Sequence, residues 1–149
     1  MGFLDNMVKS IALASDHGGY DLKEFLREHL AHQKIKCIDL GTNNQDSVDY
    51  PDFAHSLAVS LKKREAEAGI LICGTGIGVS IAANRFKHIR AALVHDTETA
   101  KLSRQHNNAN VIVFGGRVIN FHIAKDSLDV FLETDFDGGR HQKRLDKIL

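Results

Sequence analysis

The sequence predicts an α/β fold in which a five-stranded parallel sheet lies between two layers of helices. Five short runs rich in Val, Ile, Leu and Ala alternate along the chain with segments whose apolar residues have helical spacing. Strands that alternate with helices pair in parallel, because each helix returns the chain to the start of the next strand. The predicted strands are residues 8–15, 35–40, 69–73, 90–94 and 111–114.

The segments between these strands carry the apolar stripe of amphipathic helices. The first helix places five residues at the i, i+3, i+4, i+7 and i+8 positions of one face: Leu22, Phe25, Leu26, His29 and Leu30. A second helix follows Asp49-Tyr50-Pro51-Asp52, because proline is favoured in the first turn of a helix. Three further helices are predicted after Gly76, Asp96 and Asn120.

Length and composition indicate a single globular domain that spans residues 1–149. A chain of this length has the size of one domain, and nothing in its composition marks a linker. The 19 basic and 19 acidic residues balance, which argues against the basic surface of a nucleic-acid-binding protein. No apolar run reaches the ~20 residues of a membrane helix, and no secretory leader is recognisable. We therefore expect a soluble, cytoplasmic protein that binds neither nucleic acid nor membrane.

Polar and reactive residues follow four of the predicted strands. In a parallel sheet the carboxyl ends of the strands share one edge, and ligands bind there. We therefore expect a site at this edge, although ordinary polar loops would give a similar pattern. The four segments are Ser15-Asp16-His17-Gly18-Gly19, Cys73-Gly74-Thr75-Gly76-Ile77-Gly78, His95-Asp96 and Gly115-Gly116-Arg117.

The glycine-rich segment after the third strand has the composition of an anion cradle. Alternating glycines let backbone N–H groups turn toward one point, and the following helix adds the positive end of its dipole. Such a cradle holds a phosphate or a developing oxyanion. The segment is not a Walker A loop, and Val79 replaces the third glycine of a dinucleotide-binding fingerprint. A tight turn without a ligand remains the alternative interpretation.

Cys73 stands at the mouth of this predicted cradle. A helix N-terminus favours the thiolate, which acts as a base or a nucleophile, although a small buried side chain ending a strand is an equal alternative. Cys37 is expected to be only a small buried side chain, because it lies inside a predicted strand.

Histidines and arginines are the remaining candidates for residues of the functional site. The spacing of the nine histidines does not suit a metal centre, so no metal is expected. Arg140 and Arg144 lie four apart, which in a helix would aim both at a phosphate unless they belong to a solvated basic tail. Four histidines are expected near the edge that forms the site: His17, His95, His106 and His141.

Four motifs occur in order along the chain: Asp16-His17-Gly18-Gly19-Tyr20, the cysteine–glycine segment above, Ser103-Arg104-Gln105-His106-Asn107 and Gly138-Gly139-Arg140-His141-Gln142-Lys143-Arg144. Together they closely resemble the family of type B ribose-5-phosphate isomerases, which also includes the subunits of galactose-6-phosphate isomerase. The resemblance begins near residue 8 and runs to the end of the chain. It implies a three-layer α/β/α sandwich of the Rossmann-like type. Residues 1–7 precede the family pattern and are predicted to be a flexible extension.

The resemblance also implies roles for individual residues. Cys73 corresponds to the base that moves a proton between C1 and C2, and His106 to the residue that opens the furanose ring. From the residues alone, His95-Asp96 is as good an acid–base pair as His106. Some family members carry a glutamate in the glycine loop, where this chain has Val79. Substrate contacts are implied for Thr75, Asp16, His17, Gly74, Gly76, Ile77, Gly78, Asn107, Arg117, Arg140 and Arg144, with phosphate bound by the last two.

We therefore predict an aldose–ketose isomerase of D-ribose 5-phosphate and D-ribulose 5-phosphate in the pentose phosphate pathway. The resemblance implies a metal-free reaction through an enediolate, without a cofactor, in a homodimer or homotetramer whose site lies at the dimer interface. A six-carbon substrate, allose 6-phosphate or galactose 6-phosphate, is the alternative, decided by segment 41–49 and by Gly19-Tyr20. Two further alternatives are a non-catalytic phosphate- or nucleotide-binding module and a thiol redox sensor based on Cys73.

Overall fold

A computed structural model describes Phe3 and residues 10–148 of the chain. The strands are β1 (Ser10–Ser15), β2 (Lys36–Asp39), β3 (Ala68–Cys73), β4 (Ala91–Leu93) and β5 (Val111–Gly115). The helices are α1 (Tyr20–His32), α2 (Tyr50–Lys62), α3 (Ile77–Ala83), α4 (Thr97–Gln105), α5 (Phe121–Glu133) and α6 (Arg140–Leu145).

All five strands pair in parallel, in the order β2-β1-β3-β5-β4. The predicted five-stranded parallel sheet is thus confirmed, with small shifts at the strand ends. The predicted flexible extension at residues 1–7 lies outside the described residues, with the exception of Phe3. The ring of Phe3 stacks on Phe131 of α5 at a centroid distance of 5.7 Å.

Helices cover both faces of the sheet, so the central strands are buried throughout. Alternate side chains of β1, β3 and β5 point to opposite faces, as the pleat requires. One face packs Leu13, Ile70 and Phe114 against helices α1 and α5. The other face packs Leu71 and Cys73 against α2 and α3. The sulfur of Cys73 therefore belongs to the α2–α3 side.

The direction of the chain assigns each loop to one edge of the sheet. Loops that follow strands lie at the carboxyl edge, and the segments that connect a helix to the next strand lie at the amino edge. At the amino edge, the N–H of Gly69 in β3 donates to the carbonyl of Asn110, just before β5 (2.9 Å). Within the described residues, none of the helices combines the length and hydrophobicity that crossing a bilayer requires.

Candidate active site

The loops that follow β1, β3 and β5 pack directly against one another. A Cβ atom at Gly18 would lie 3.0 Å from the Cα of Gly74. A Cβ atom at Gly116 would lie 2.6 Å from the carbonyl oxygen of Gly18, closer than real side chains approach. The three loops therefore form one continuous surface at the carboxyl edge, as the sequence predicts.

The loop after β3 holds the sulfur of Cys73 by a backbone hydrogen bond. The N–H of Gly76 donates to Sγ at 3.2 Å, and Cys73 is 5% exposed. Gly76 has a φ of +79°, and a Cβ there would lie 2.5 Å from Leu93, so only glycine fits. The amides in the first turn of α3 lack acceptors within the helix. The loop thus supplies a positioned sulfur and N–H donors for a negative charge.

Thr75 and Ile77 lie on the outer side of the same loop. The hydroxyl oxygen of Thr75 accepts the N–H of Ile77 at 3.2 Å, and both side chains are exposed. The conformation of the loop is therefore fixed by its own groups, while the Thr75 side chain faces the site opening.

Asp16 and His17 are held in the loop after β1. Asp16 is buried, and its Oδ1 accepts the N–H groups of Gly18 (2.9 Å) and Gly19 (3.2 Å). Nδ1 of His17 faces the N–H of Val48 at 3.2 Å. A ring nitrogen that accepts a hydrogen bond carries no proton, so this contact assigns the proton of a neutral His17 to Nε2. Nε2–H is then a donor for a ligand.

Segment 41–49, which the sequence connects with substrate choice, is anchored to the end of β1. The N–H of Thr42 donates to the carbonyl of Ser15 (2.8 Å). Asp39 Oδ1 accepts both the N–H of Gly41 (3.0 Å) and the ammonium of Lys23 (2.8 Å). Lys23 is fully buried, and its ammonium pairs with Asp39 and with Glu24 (3.0 Å). The segment thereby borders the opening near His17.

Arg117 brings a positive charge to the glycine loop. Its backbone N–H donates to the carbonyl of Gly74 (3.0 Å), and its Nη1 lies 3.3 Å from where a Cβ of residue 74 would stand. The exposed guanidinium therefore lies over the cradle, where it suits an anionic ligand.

His95 and Asp96 follow β4 at the carboxyl edge, but they do not form an acid–base pair with access to Cys73. Oδ1 of Asp96 accepts the N–H (2.7 Å) and the hydroxyl (2.8 Å) of Thr99 and caps α4. These two hydrogen bonds lower the pKa of Asp96 and keep it ionised. β4 is also two strands from β3, about 10 Å away at the usual strand spacing.

His106 lies at the amino edge, opposite Cys73. It is the C-cap of α4, which runs back from the carboxyl edge, and it shortly precedes Asn110, the partner of Gly69 at the start of β3. Cys73 is at the other end of β3, whose six residues span about 20 Å. Within one chain, the expectation that His106 lies near the strand-end site is therefore wrong. A residue between a helix and the next strand belongs to the amino edge.

The C-terminal motif is at the same amino edge as His106. The N–H of Asp137 donates to the carbonyl of Gln105, at the end of α4 (3.0 Å). The expected helix is present as α6, and its Arg140 and Arg144 are exposed. The expectation that His141 lies near the strand-end site is therefore also wrong within one chain. The amino edge thus unites the predicted ring-opening and phosphate-binding residues: His106, Asn107, Arg140 and Arg144.

His106 and His141 stack face to face, with centroids 4.4 Å apart and ring planes at 15°. Burial lowers the pKa of His141, and the charges of His106 and two neighbouring arginines lower it further. One ligand atom each of His106, Asp137 and His141 lies within 4.8 Å of the others. The lone pairs of stacked imidazoles lie in parallel planes and do not converge on one ion. This cluster is therefore not a preformed metal centre.

Sequence reasoning did not identify an apolar surface beside the cradle. The ring of Tyr50 lies against Gly78, 2.6 Å from where its Cβ would be. Ile77 and Ile81 are 54% and 56% exposed on the outer face of α3. Their i, i+4 spacing, opposite the buried Val79, is the signal that could have revealed this surface. Adjacent exposed apolar side chains of this kind are typical of interfaces.

Comparison with known proteins identifies the family of the chain. A family model described as Ribose/Galactose Isomerase matches residues 11–148. The chain belongs to the ribose/galactose isomerase family. Ribose-5-phosphate isomerase B of Escherichia coli is 44% identical over 141 residues, covering 95% of each protein.

Solved structures of this family have the same fold. A ribose 5-phosphate isomerase from Thermotoga maritima is 49% identical, with a TM-score of 0.93 over 96% of this chain and 98% of that one. The isomerase B of Mycoplasma genitalium with bound ribulose-5-phosphate is 46% identical, with a TM-score of 0.90 over 96% of this chain and 95% of that one. The predicted family and the predicted Rossmann-like α/β fold are confirmed.

Proposed function

We propose that this chain interconverts the aldose D-ribose 5-phosphate and the ketose D-ribulose 5-phosphate. The observation that carries the proposal is the sulfur of Cys73, held by the Gly76 N–H at the mouth of an amide-lined loop. The relatives confirm the predicted isomerase class, since the E. coli protein is named ribose-5-phosphate isomerase B and the M. genitalium structure contains ribulose-5-phosphate. We place the reaction in the cytoplasmic pentose phosphate pathway.

Isomerisation moves one proton from C2 to C1. The thiolate of Cys73 removes the proton on C2 of the open-chain aldose, which leaves an enediolate with its negative charge on O1. The N–H groups of loop 74–78 stabilise that charge, and Thr75 contacts the same substrate atoms. Cys73 then returns its proton to C1 while a proton passes from O2 to O1, and the ketose results. Groups of the protein supply each step, so the scheme needs neither a metal nor a cofactor.

Binding uses groups from both edges of the sheet. Arg140 and Arg144 hold the phosphate, remote from the reacting carbons, so that binding energy serves orientation. Asp16, His17 and Arg117 contact the sugar beside the cradle. Asn107 assists next to His106.

Ring opening is the task of His106. Ribose 5-phosphate is a furanose in which O4 is bonded to C1, and opening it transfers a proton from O1 to O4 as the C1–O4 bond breaks. Ribulose 5-phosphate is always open, because the hydroxyl that would close its furanose ring carries the phosphate. His106→Asn should therefore reduce kcat/KM for the conversion of ribose 5-phosphate by about 100-fold. The exchange of a C1 hydrogen of ribulose 5-phosphate with D2O needs proton transfer at Cys73 but no ring closure, so its rate should fall far less. Equal losses of conversion and exchange would remove His106 from this role.

We propose that the complete site forms between two copies of the chain, in a homodimer or a homotetramer. Cys73 and His106 are separated by the length of β3, and a pentose phosphate is much shorter than this distance. A second copy can bring its amino edge to the cradle of the first. The exposed apolar side chains of Tyr50, Ile77 and Ile81 beside the cradle provide a surface for this contact.

The decisive experiment is the rate of ribose 5-phosphate conversion by the purified protein with excess EDTA. We expect rapid turnover that the chelator does not change. Allose 6-phosphate and galactose 6-phosphate, assayed in parallel, should be converted about 10- to 100-fold less efficiently, because segment 41–49 borders the opening at His17 and the site must accept one more carbon. Preference for a six-carbon substrate would change the assigned sugar, and binding without turnover of any of them would favour a phosphate-binding module.

A further inference from the structure

Arg104 is a buried residue in the last turn of α4, just before His106, and is 4% exposed. Its guanidinium connects two separate segments of the chain. Nη1 donates to Asn108 Oδ1 (2.9 Å) and to the carbonyl of Ala109 (2.6 Å), in the turn that follows His106. Nε donates to the carbonyl of Thr134 (3.1 Å), where the chain leaves α5 toward α6.

The surroundings of Arg104 are unfavourable for a charge. The guanidinium carbon lies 4.2 Å from the ring centroid of Phe3 and 5.7 Å from that of Phe131. Burial lowers the pKa of Arg104 to about 10, so the side chain is still protonated at neutral pH. A methionine or leucine would fill this volume without the desolvation cost of a cation. What an apolar residue cannot provide is the set of directed hydrogen bonds to both segments.

We propose that Arg104 is a positioning residue for the isomerisation: it fixes the ring-opening His106 relative to the phosphate-binding arginines of α6. The inference rests on the proposed function, because it requires that His106 opens the sugar ring. The phosphate end of the substrate is held by Arg140 and Arg144, and the ring oxygen must then meet His106 at hydrogen-bond distance. Arg104 bridges two segments. One is the turn that bears His106, and the other is residues 134–139, the crossing, which leads from α5 to α6.

Two neighbouring contacts support this bridge. Asp137, in the crossing, donates its N–H to the carbonyl of Gln105 beside Arg104 (3.0 Å). Asn108 has a φ of +47°, an uncommon conformation that asparagine tolerates, and its side chain accepts from Arg104. The stacked rings of His106 and His141, 4.4 Å apart, then join the two connected segments.

Arg90 offers a matched control on the same turn. Its Nε donates to the carbonyl of Asn108 (2.7 Å), so it stabilises the turn. Its only hydrogen bonds given by the described residues join it to Asn108, Asn110 and Val111, and none of them reaches the crossing. Loss of Arg90 therefore tests the effect of a weakened turn alone, whereas loss of Arg104 tests the effect of breaking the connection between the turn and the crossing.

The test compares two rates in Arg104→Met, the conversion of ribose 5-phosphate and the exchange of a C1 hydrogen of ribulose 5-phosphate with D2O, with His106→Asn as the reference. Arg104→Met keeps the apolar contacts to Phe131 and removes all three hydrogen bonds. Misplacing an acid–base group by about 1 Å costs up to about 100-fold, so kcat/KM for the conversion of ribose 5-phosphate should fall 10- to 100-fold. The exchange needs no ring opening, so its rate should fall by less than about threefold. Arg104→Lys, which keeps a donor, should recover part of the loss.

The outcomes separate this inference from the proposed function. If His106→Asn loses conversion but keeps exchange, while Arg104→Met loses both equally, the positioning role is wrong. If His106→Asn itself loses conversion and exchange equally, the proposed ring-opening role fails first. Arg90→Met should change conversion and exchange equally, and a selective loss of conversion there would contradict the bridge.

A second variant covers the case in which Arg104→Met does not fold. Asn108→Gly suits the positive φ and removes only the Oδ1 acceptor of the bridge. It should reproduce the selective loss of conversion at a smaller size, about threefold. Equal changes in conversion and exchange, relative to the unmodified protein, would overturn the positioning role.

Discussion

The two edges of the sheet are built from different parts of the polypeptide. At the carboxyl edge, glycines bring the loops after β1, β3 and β5 into contact, and backbone N–H groups hold Asp16 and the sulfur of Cys73. At the amino edge, side chains make the structure: Arg104 bridges two segments, and His106 stacks on His141. The carboxyl edge holds its reactive groups mainly by main-chain hydrogen bonds, and the amino edge holds its groups mainly by side-chain contacts.

This difference follows from what each part of the reaction requires. An enediolate develops charge on an oxygen whose position is fixed, and oriented backbone dipoles stabilise it without reorganisation. Opening a ring requires a side chain that transfers protons, and arginine side chains bring full positive charge to a phosphate. Each edge alone is therefore half of an isomerase site.

The largest effect is expected at the carboxyl edge, from Cys73→Ser. A hydroxyl is a much weaker base than a thiolate at neutral pH, so turnover should fall on the order of 1,000-fold in both directions. Binding of a non-isomerisable analogue, ribitol 5-phosphate, should be retained, as calorimetry can measure. Near-normal turnover would exclude Cys73 as the base.

Cys37→Ser is the control for that variant. Cys37 is half-buried in β2, and burial raises the pKa of its thiol to about 11, so it stays protonated. Its Sγ packs against the core and, among the hydrogen bonds that the structure describes, donates only to the carbonyl of Ile35 (3.7 Å). The activity of Cys37→Ser should therefore be unchanged. If the protein were instead a redox sensor, oxidation would yield a stable oxidised thiol at Cys73, and the protein would not isomerise the sugar.

Co-expression of Cys73→Ser with His106→Asn tests whether the two edges meet across chains. Each variant alone should be nearly inactive toward ribose 5-phosphate. In a mixed dimer, one site combines both substitutions and the other has neither, so random assembly should restore about a quarter of the normal activity. No recovery, with mixed dimers shown to be present, would mean that each chain forms its own site.

The carboxyl edge was predictable from the sequence, because its signals are local. Apolar strands followed by glycines and polar residues indicate where a parallel sheet binds ligands, and Cys73, Asp16 and Arg117 all lie there. The roles of individual residues came from the family motifs, since neither spacing nor composition separates a base from a buried thiol.

The amino edge was misplaced, although the chain direction contains the information. His106 follows a helix, and helices in this fold run antiparallel to the strands, so its position opposite Cys73 follows from the order of elements. Arg104 was not identifiable, because a helical arginine is usually exposed, and only the three-dimensional crossing of residues 134–139 buries it.

Arg144→Ala should have a smaller effect, confined to binding. Loss of one charge-assisted hydrogen bond to a phosphate weakens binding by about 10-fold or more, which should appear in KM with little change in kcat. Lys143→Ala, a neighbouring exposed residue of α6, is the control and should leave KM unchanged. An unchanged KM in Arg144→Ala would return this arginine to a solvated tail.

The smallest expected effect is a pH dependence of stability at the amino edge. The pKa of His141 in the folded chain is below its value of about 6.5 in the unfolded chain, so below that pH the unfolded chain binds the proton more readily. The free energy of unfolding should therefore decrease as pH falls through about 6.5, and His141 contributes no pH dependence above about 7.5. Denaturation at several pH values should show a shallower decrease in His141→Gln, because the burial and the nearby positive charges no longer act on a titrating ring. An identical slope in both proteins would mean that the pKa of His141 is the same in the folded and unfolded chains. A protonated His141 would then cost no stability at the amino edge.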